Sequence, residues 1–193
     1  TTKPLKVIAN GNVNGIDLVK YTAELYSKEE NNQLRHTIGV SENDLVFLYI
    51  GRLVNDKGVN ELVNAFDKLT STHENVKLVM VGESDLLPDQ TWTKINANNS
   101  ILYVGHQNDV RPYLAMSDIF VFPSYREGFP NVVLEAGAMG LPAIVTDING
   151  SNEIIIEKEN GLIIPSKDED ALLQAMKILL TDKSLYNKFA KNA

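Results

Sequence analysis

The sequence contains no cysteine. Disulfides, thiolate metal sites and cysteine nucleophiles are therefore excluded, and the composition is compatible with a reducing compartment. No apolar run approaches the ~18–20 residues that a membrane-spanning helix needs. Positive charge is in deficit: 18 Lys+Arg stand against 25 Asp+Glu, a formal net charge of −7. That balance argues against a nucleic-acid partner, and is indifferent to one small anion held by a local positive patch. Histidine is sparse, and His36, His73 and His106 fall in separate predicted elements, so no shared metal site is expected from them. Internal repeats, low-complexity tracts and linkers are absent. So is an initiator Met: the chain opens Thr1-Thr2-Lys3 with no signal-peptide pattern before Lys3, and stops at Lys191-Asn192-Ala193 inside a helical pattern. An excised piece of a longer protein is the expectation.

Several nucleotide and hydrolase signatures are also missing. A dinucleotide fingerprint needs Gly-x-Gly-x-x-Gly after the first strand, and Gly11-Asn12-Val13-Asn14-Gly15 has the wrong spacing. Gly51 to Lys57-Gly58 inverts the Lys-Gly order of a Walker A loop and lacks its hydroxyl. There is no Gly-x-Ser-x-Gly elbow. Asp168-Glu169-Asp170 has the Asp-x-Asp form of metal-dependent sugar transferases, but it follows Ser166 and opens an amphipathic helix. Acidic residues there favour the helix dipole, so a structural role is expected of them.

What is present is a chain of 193 residues, 44% apolar, enough for one compact domain over residues 1–193 and too apolar for disorder. Short apolar runs alternate with amphipathic stretches. The runs are Leu45–Ile50, Val76–Val81, Ser100–Val104, Ile119–Phe122, Ala143–Thr146 and Gly161–Ile164, each closed by Gly, Pro or Asp. They read as strands covered on both faces. Val59, Leu62, Val63, Phe66 and Leu69 line one helical face. Further helices are expected near Val110–Leu114, over Pro130–Met139, Asp168–Leu180 and Ser184–Ala190. Capping boxes are read at Ser27/Glu30 and Ser166/Glu169. Strand–helix alternation at about 25–30 residues predicts an α/β fold, a Rossmann-like parallel sheet with helices on both faces. Ligands of such sheets sit at the carboxyl ends of the strands.

Two loops at that edge carry the chemistry. In Gly51-Arg52-Leu53-Val54-Asn55-Asp56-Lys57-Gly58, Arg52 offers a planar fork and Lys57 a mobile point charge, together able to grip a diphosphate. A cation at a helix start opposes the dipole unless an anion lies near. In Arg126-Glu127-Gly128-Phe129-Pro130-Asn131-Val132-Val133-Leu134-Glu135, Pro130 suits a first helical turn, Gly128 allows close backbone approach, and the free N–H groups make an anion site. Glu127 precedes the helix. Glu135 lies within it among apolar neighbours, where a buried carboxylate needs a partner and a ribose diol would supply one. Gly150-Ser151-Asn152-Glu153-Ile154 and Gly105-His106-Gln107 are weaker candidates, the latter for presenting backbone groups to a base.

Together these segments resemble, in order and over nearly the whole chain, the C-terminal half of a family-4 glycosyltransferase of the GT-B fold. Asn12-Val13-Asn14-Gly15-Ile16-Asp17 resembles the family's Asn-Gly-Val-Asp segment with one residue inserted or substituted. Gly51-Arg52-Leu53…Lys57-Gly58 matches its phosphate-gripping turn, Glu127 and Glu135 its Glu-x7-Glu motif, Gly150–Ile154 its small-residue-then-Glu-Ile segment, and Asn160-Gly161-Leu162 its Asn-Gly-Leu turn. The resemblance implies retaining transfer from a nucleotide-diphosphate sugar, UDP favoured, without a metal or other cofactor. By it, Gly51, Arg52 and Lys57 hold the diphosphate. Gly128, Phe129, Pro130, Asn131 and Val132 surround sugar or phosphate, Pro130 without an N–H of its own. Glu135 binds the ribose and Glu127 the transferred sugar, and Val104, Gly105 and His106 face the base. It further implies a missing N-terminal acceptor domain, a saccharide or lipid-linked acceptor of polysaccharide biosynthesis, and a cytoplasmic location with the inner membrane surface nearby. The isolated domain would bind donor without turnover. A hydrolase carboxylate pair fits poorly, since one glutamate is in a loop and the other in a helix. A GT-B nucleotide-sugar epimerase and a non-catalytic binding module stay open.

Overall fold

The computed structural model describes residues 15–193; Asn12, Val13 and Asn14 of the first motif lie outside them. Six strands form one sheet: β1 (Leu45–Ile50), β2 (Val76–Val81), β3 (Ile101–Gly105), β4 (Ile119–Phe122), β5 (Ala143–Thr146) and β6 (Gly161–Ile164). Their order is β3-β2-β1-β4-β5-β6, with every neighbouring pair parallel. The sheet grows outward from β1 in one direction and from β4 in the other. Right-handed crossovers then send the helices of the two halves to opposite faces. The order reverses between β1 and β4, and in sheets of this kind ligands bind at the carboxyl ends of the strands at that switch point. The expected fold class is the observed one.

The helices are α1 (Lys28–Thr37), α2 (Val59–Thr70), α3 (Asp89–Ala97), α4 (Arg111–Ala115), α5 (Asn131–Ala138), α6 (Ser151–Ile154), α7 (Glu169–Thr181) and α8 (Lys183–Asn192). Helix α2 buries Val59, Leu62, Val63, Phe66 and Leu69, the face read from its periodicity. At α1 the box is reciprocal: Ser27 N–H donates to Glu30 Oε2 at 2.8 Å, and Glu30 N–H to Ser27 Oγ at 3.2 Å.

The second box is corrected. Asp168 caps α7, its Oδ1 accepting from Ala171 N–H at 2.8 Å, while Ser166 Oγ is buried with no partner among the described residues. Asp168 lies directly before the first helical residue, where a side-chain oxygen reaches the third N–H; Ser166 is two residues too early. The rest of the acidic string is also structural, since Lys68 of α2 pairs with Glu169 at 2.8 Å and Asp170 at 3.1 Å. Helix α3 is not among the elements that the apolar pattern predicts. It buries only Thr91 and Ile95, a stripe too thin to show as a period, although Pro88-Asp89 before it is a helix-start signal.

Candidate functional site

The loop after β1 is shaped from the strand outward. Tyr49, fully buried in β1, donates its hydroxyl to the Arg52 carbonyl at 2.8 Å. Leu53 N–H donates to Glu83 O at 2.7 Å, which ties this loop to the one after β2. A single 3₁₀ turn, Asn55–Lys57, then leads into Gly58, in the left-handed region at φ 68°. A Cβ at Gly58 would collide with the Pro123 carbonyl. Glycine therefore lets the loops leaving β1 and β4 touch. Tyr125 N–H donates to Asp56 O at 2.9 Å across that contact.

The contact brings together two residues that the sequence separates widely. Lys57 Nζ lies 2.6 Å from Glu127 Oε1, with side chains 17% and 16% exposed. Ser124 Oγ donates to the same Oε1 at 2.8 Å. The anion that Lys57 requires at a helix start is thus supplied within the protein, by a residue of the other motif. Tyr125 OH donates to Glu61 Oε1 at 2.6 Å, which fastens the β4 loop to α2.

Past Glu127, Gly128 is exposed, Phe129 half-buried and Pro130 buried at the start of α5. The N–H groups of Asn131 and Val132 meet no acceptor among the described residues, whereas Val133 N–H donates to Pro130 O at 3.0 Å. Two donors at the positive end of an eight-residue helix are therefore left unpaired at the end of the loop after β4. Gly150, at φ 84°, is pressed onto this turn, since a Cβ there would lie 2.6 Å from Gly128 O. Glu153 Oε1 accepts from Gly150 N–H at 3.2 Å, so the glutamate of the fourth segment caps α6. Glu135 is half-buried in α5; burial pushes its carboxyl above the usual range, opposed by the neighbouring Tyr21 hydroxyl. Sequence reasoning misses Tyr21, because a lone tyrosine in an irregular segment gives no pattern.

On the β2 side of the loop after β1 is a cavity of 310 Å³ lined by Ile50, Gly51, Arg52, Val81, Gly82, Glu83, His106, Gln107 and Val110. Its walls are the carboxyl ends of β1 and β2. Arg52, exposed at its rim, stands between the cavity and the Lys57 turn. Of the three residues expected to face a base, His106 lines the cavity. The Val104 carbonyl accepts from Gln107 Nε2 at 2.9 Å, and the Gly105 carbonyl from Gly82 N–H at 2.9 Å. Arg52, Lys57, Glu127, Gly128–Val132 and His106 thus share one edge of the sheet, with Glu135 a little over one turn into α5. Among the described residues, no group of three or more His, Cys, Asp or Glu is placed to hold a metal ion, and no helix is long and apolar enough to cross a membrane.

The chain is 30% identical over 192 residues, 97% of its length and 49% of the relative's, to the capsular polysaccharide biosynthesis glycosyltransferase CapM of Staphylococcus aureus. It is 31% identical over 184 residues, 93% of its length and 46% of the relative's, to the UDP-Gal:alpha-D-GlcNAc-diphosphoundecaprenol alpha-1,3-galactosyltransferase of Escherichia coli. It spans about half the length of these curated relatives. The fold matches the crystal structure of Anabaena HepE in complex with UDP and glucose, with a TM-score of 0.83 at 22% identity over 93% of this chain and 49% of that one. The family model of the glycosyl transferases group 1 matches residues 30–193, and the chain belongs to that family.

Proposed function

We propose that this chain is the donor-binding half of a retaining, metal-independent glycosyltransferase that uses a nucleotide-diphosphate sugar, with UDP as the nucleotide. The observation that supports the reading is the pairing of Lys57 with Glu127 across the loops leaving β1 and β4, just ahead of a helix start whose Asn131 and Val132 N–H groups are unpaired among the described residues. A nucleotide-diphosphate sugar already contains its leaving group. As the bond between the sugar's anomeric carbon and the diphosphate oxygen breaks, the electron pair stays on the diphosphate. The protein's task is to stabilise that growing charge. Arg52, Lys57 and the start of α5 are three positive elements at one edge, and they do this without a metal. Gly51 lets the diphosphate approach the backbone. Glu127 accepts from the transferred sugar, Glu135 from the ribose hydroxyls, and the cavity at His106 takes the base. Val104 and Gly105 hold the backbone that forms that cavity.

The galactosyltransferase relative acts from UDP-Gal on a diphosphoundecaprenol-linked sugar, by its name, and the Staphylococcus relative belongs to capsular polysaccharide biosynthesis. These support a saccharide or lipid-linked acceptor met at the cytoplasmic surface of a membrane. The acceptor would be bound by a second, N-terminal domain that closes over this one, and residues 1–193 alone would bind donor without transferring it. Titration calorimetry with UDP tests the donor site: UDP is expected to bind, and Glu135→Ala to weaken it. Absence of heat with UDP, GDP and ADP overturns the donor reading. Equal affinity in Glu135→Ala overturns the ribose role.

A further inference from the structure

Glu127 sits in a loop of irregular backbone between exposed Arg126 and exposed Gly128, so no helix or strand fixes its direction. Two side chains do. Lys57 Nζ and Ser124 Oγ both reach Oε1, at 2.6 and 2.8 Å, and Oε2 accepts from no group among the described residues. The carboxylate is therefore used asymmetrically, one oxygen saturated by protein and one left for an incoming donor.

Ser124 is the fixed member of this arrangement. It is 0% exposed, just past the end of β4, and its carbonyl accepts from the Thr146 hydroxyl at the end of β5. Its hydroxyl has two other acceptors within reach, Arg126 O at 3.2 Å and Asp56 O at 3.4 Å. The contact to Glu127 is the shortest of the three, as expected for a hydroxyl facing an ionised carboxylate. Lys57 is the movable member, a long side chain on a turn that the proposed function assigns to the diphosphate.

Resting on that reading of Lys57 and Glu127, we propose that Ser124 is a positioning residue. It keeps Oε1 of Glu127 in place when Lys57 turns to the diphosphate, so that Oε2 stays aimed at a hydroxyl of the transferred sugar. Ser124 touches neither sugar nor nucleotide and acts only through Glu127.

The test is a double-mutant cycle in the full-length protein, with transfer from UDP-sugar, UDP affinity and thermal midpoint measured for each variant. Ser124→Ala is expected to lower kcat about tenfold, the value of one hydrogen bond to a charged group, with UDP affinity unchanged. Ser124→Thr, which keeps the hydroxyl, is expected to restore most of the rate. In a Glu127→Gln background, Ser124→Ala is expected to cost nothing further. An equal loss from Ser124→Ala in both backgrounds overturns the proposal, because the serine then acts independently of Glu127. A normal rate in Ser124→Ala beside a crippled Glu127→Gln also overturns it, and leaves the role of Glu127 standing. A normal rate in Glu127→Gln overturns the reading of Glu127 itself.

Discussion

Two largely buried ion pairs bridge the boundary between β1 and β4, one at each end of the strands, and an exposed third joins Arg126 to Asp56 at the carboxyl end. At the amino end Arg35 of α1 pairs with Asp118 at 3.0 Å, with side chains 11% and 29% exposed. At the carboxyl end Lys57 pairs with Glu127 with similar burial. The other hydrogen bonds of the two cations separate them. Arg35 also donates Nε to Met116 O at 2.8 Å and Nη1 to Asp44 O at 3.0 Å, and Asp118 Oδ2 also accepts from Val46 N–H at 2.7 Å. That rigid fork is spent on the fold, tying α1 to both central strands. The carboxyl-end pair uses a flexible lysine whose Nζ donates to Glu127 alone among the described residues, while one carboxylate oxygen, Asp118 Oδ1 or Glu127 Oε2, is open in each pair. A buried ion pair at a sheet edge therefore says little about function until its unused donors and acceptors are counted.

The comparison breaks most sharply if each pair is cut separately. Lys57→Ala is expected to lower transfer by about 100-fold or more, the scale of losing one donor to a leaving oxygen, and to cost less in unfolding than the loss of Arg35, because Ser124 still donates to Glu127 and no carbonyl is stranded; steady-state kinetics and urea unfolding read the two. Arg35→Met is expected to do the reverse. It removes one partner from Asp118, strands two carbonyls, and should cost about 3 kcal/mol in urea unfolding, while UDP affinity of the folded protein is unchanged. If Arg35→Met weakened UDP binding and spared stability, the assignment of the two ends would be wrong.

A third test uses pH. Burial raises both Asp118 and Glu135, in the first case against the pull of Val46 N–H and Arg35. A raised carboxyl favours the folded state's protonated form, so each contributes stability present below its unfolded pKa and lost as pH rises through the folded one. Ligand binding adds the opposite sign at the carboxyl end alone. In the proposed ribose role Glu135 must be ionised to accept from the diol, so UDP affinity should fall as pH drops through a midpoint above the ordinary carboxylate range. Glu135→Gln should flatten that limb in calorimetry, and a limb that persists would detach it from Glu135. The smallest effects concern the start of α7. Asp168→Ala is expected to cost about 1 kcal/mol as a lost cap, and Ser166→Ala to change unfolding by less than about 0.5 kcal/mol. The opposite order would reinstate Ser166 as the cap.

Much of the fold is legible in the order of the residues alone. The continuous apolar runs from Leu45–Ile50 to Gly161–Ile164 match the six strands within a residue at each end, since strands buried on both faces must be apolar throughout. The phosphate-type turn and the loop before α5 stand out because glycine, proline and paired cations in a strand–helix junction carry a local chemical meaning. The Ser166 cap fails because two residues in one short stretch could serve, and spacing alone does not choose between them. Tyr21 and Ser124 are invisible as site residues, since a single hydroxyl has the same appearance in a core, a turn or a site.

The sequence by itself determined the period of each element, the parallel α/β class and the edge of the sheet where ligands would lie, because these follow from contacts within a few residues of one another. Only the tertiary structure decided that Lys57 faces Glu127, that Ser124 shares the same oxygen, and that Arg35 is wholly committed to the fold. Those partners come from loops far apart in the chain, and a parallel sheet joins them through crossovers whose handedness is general but whose side-chain directions are not. The orientation of one hydroxyl is set by the packing around it, and packing is a property of the folded whole.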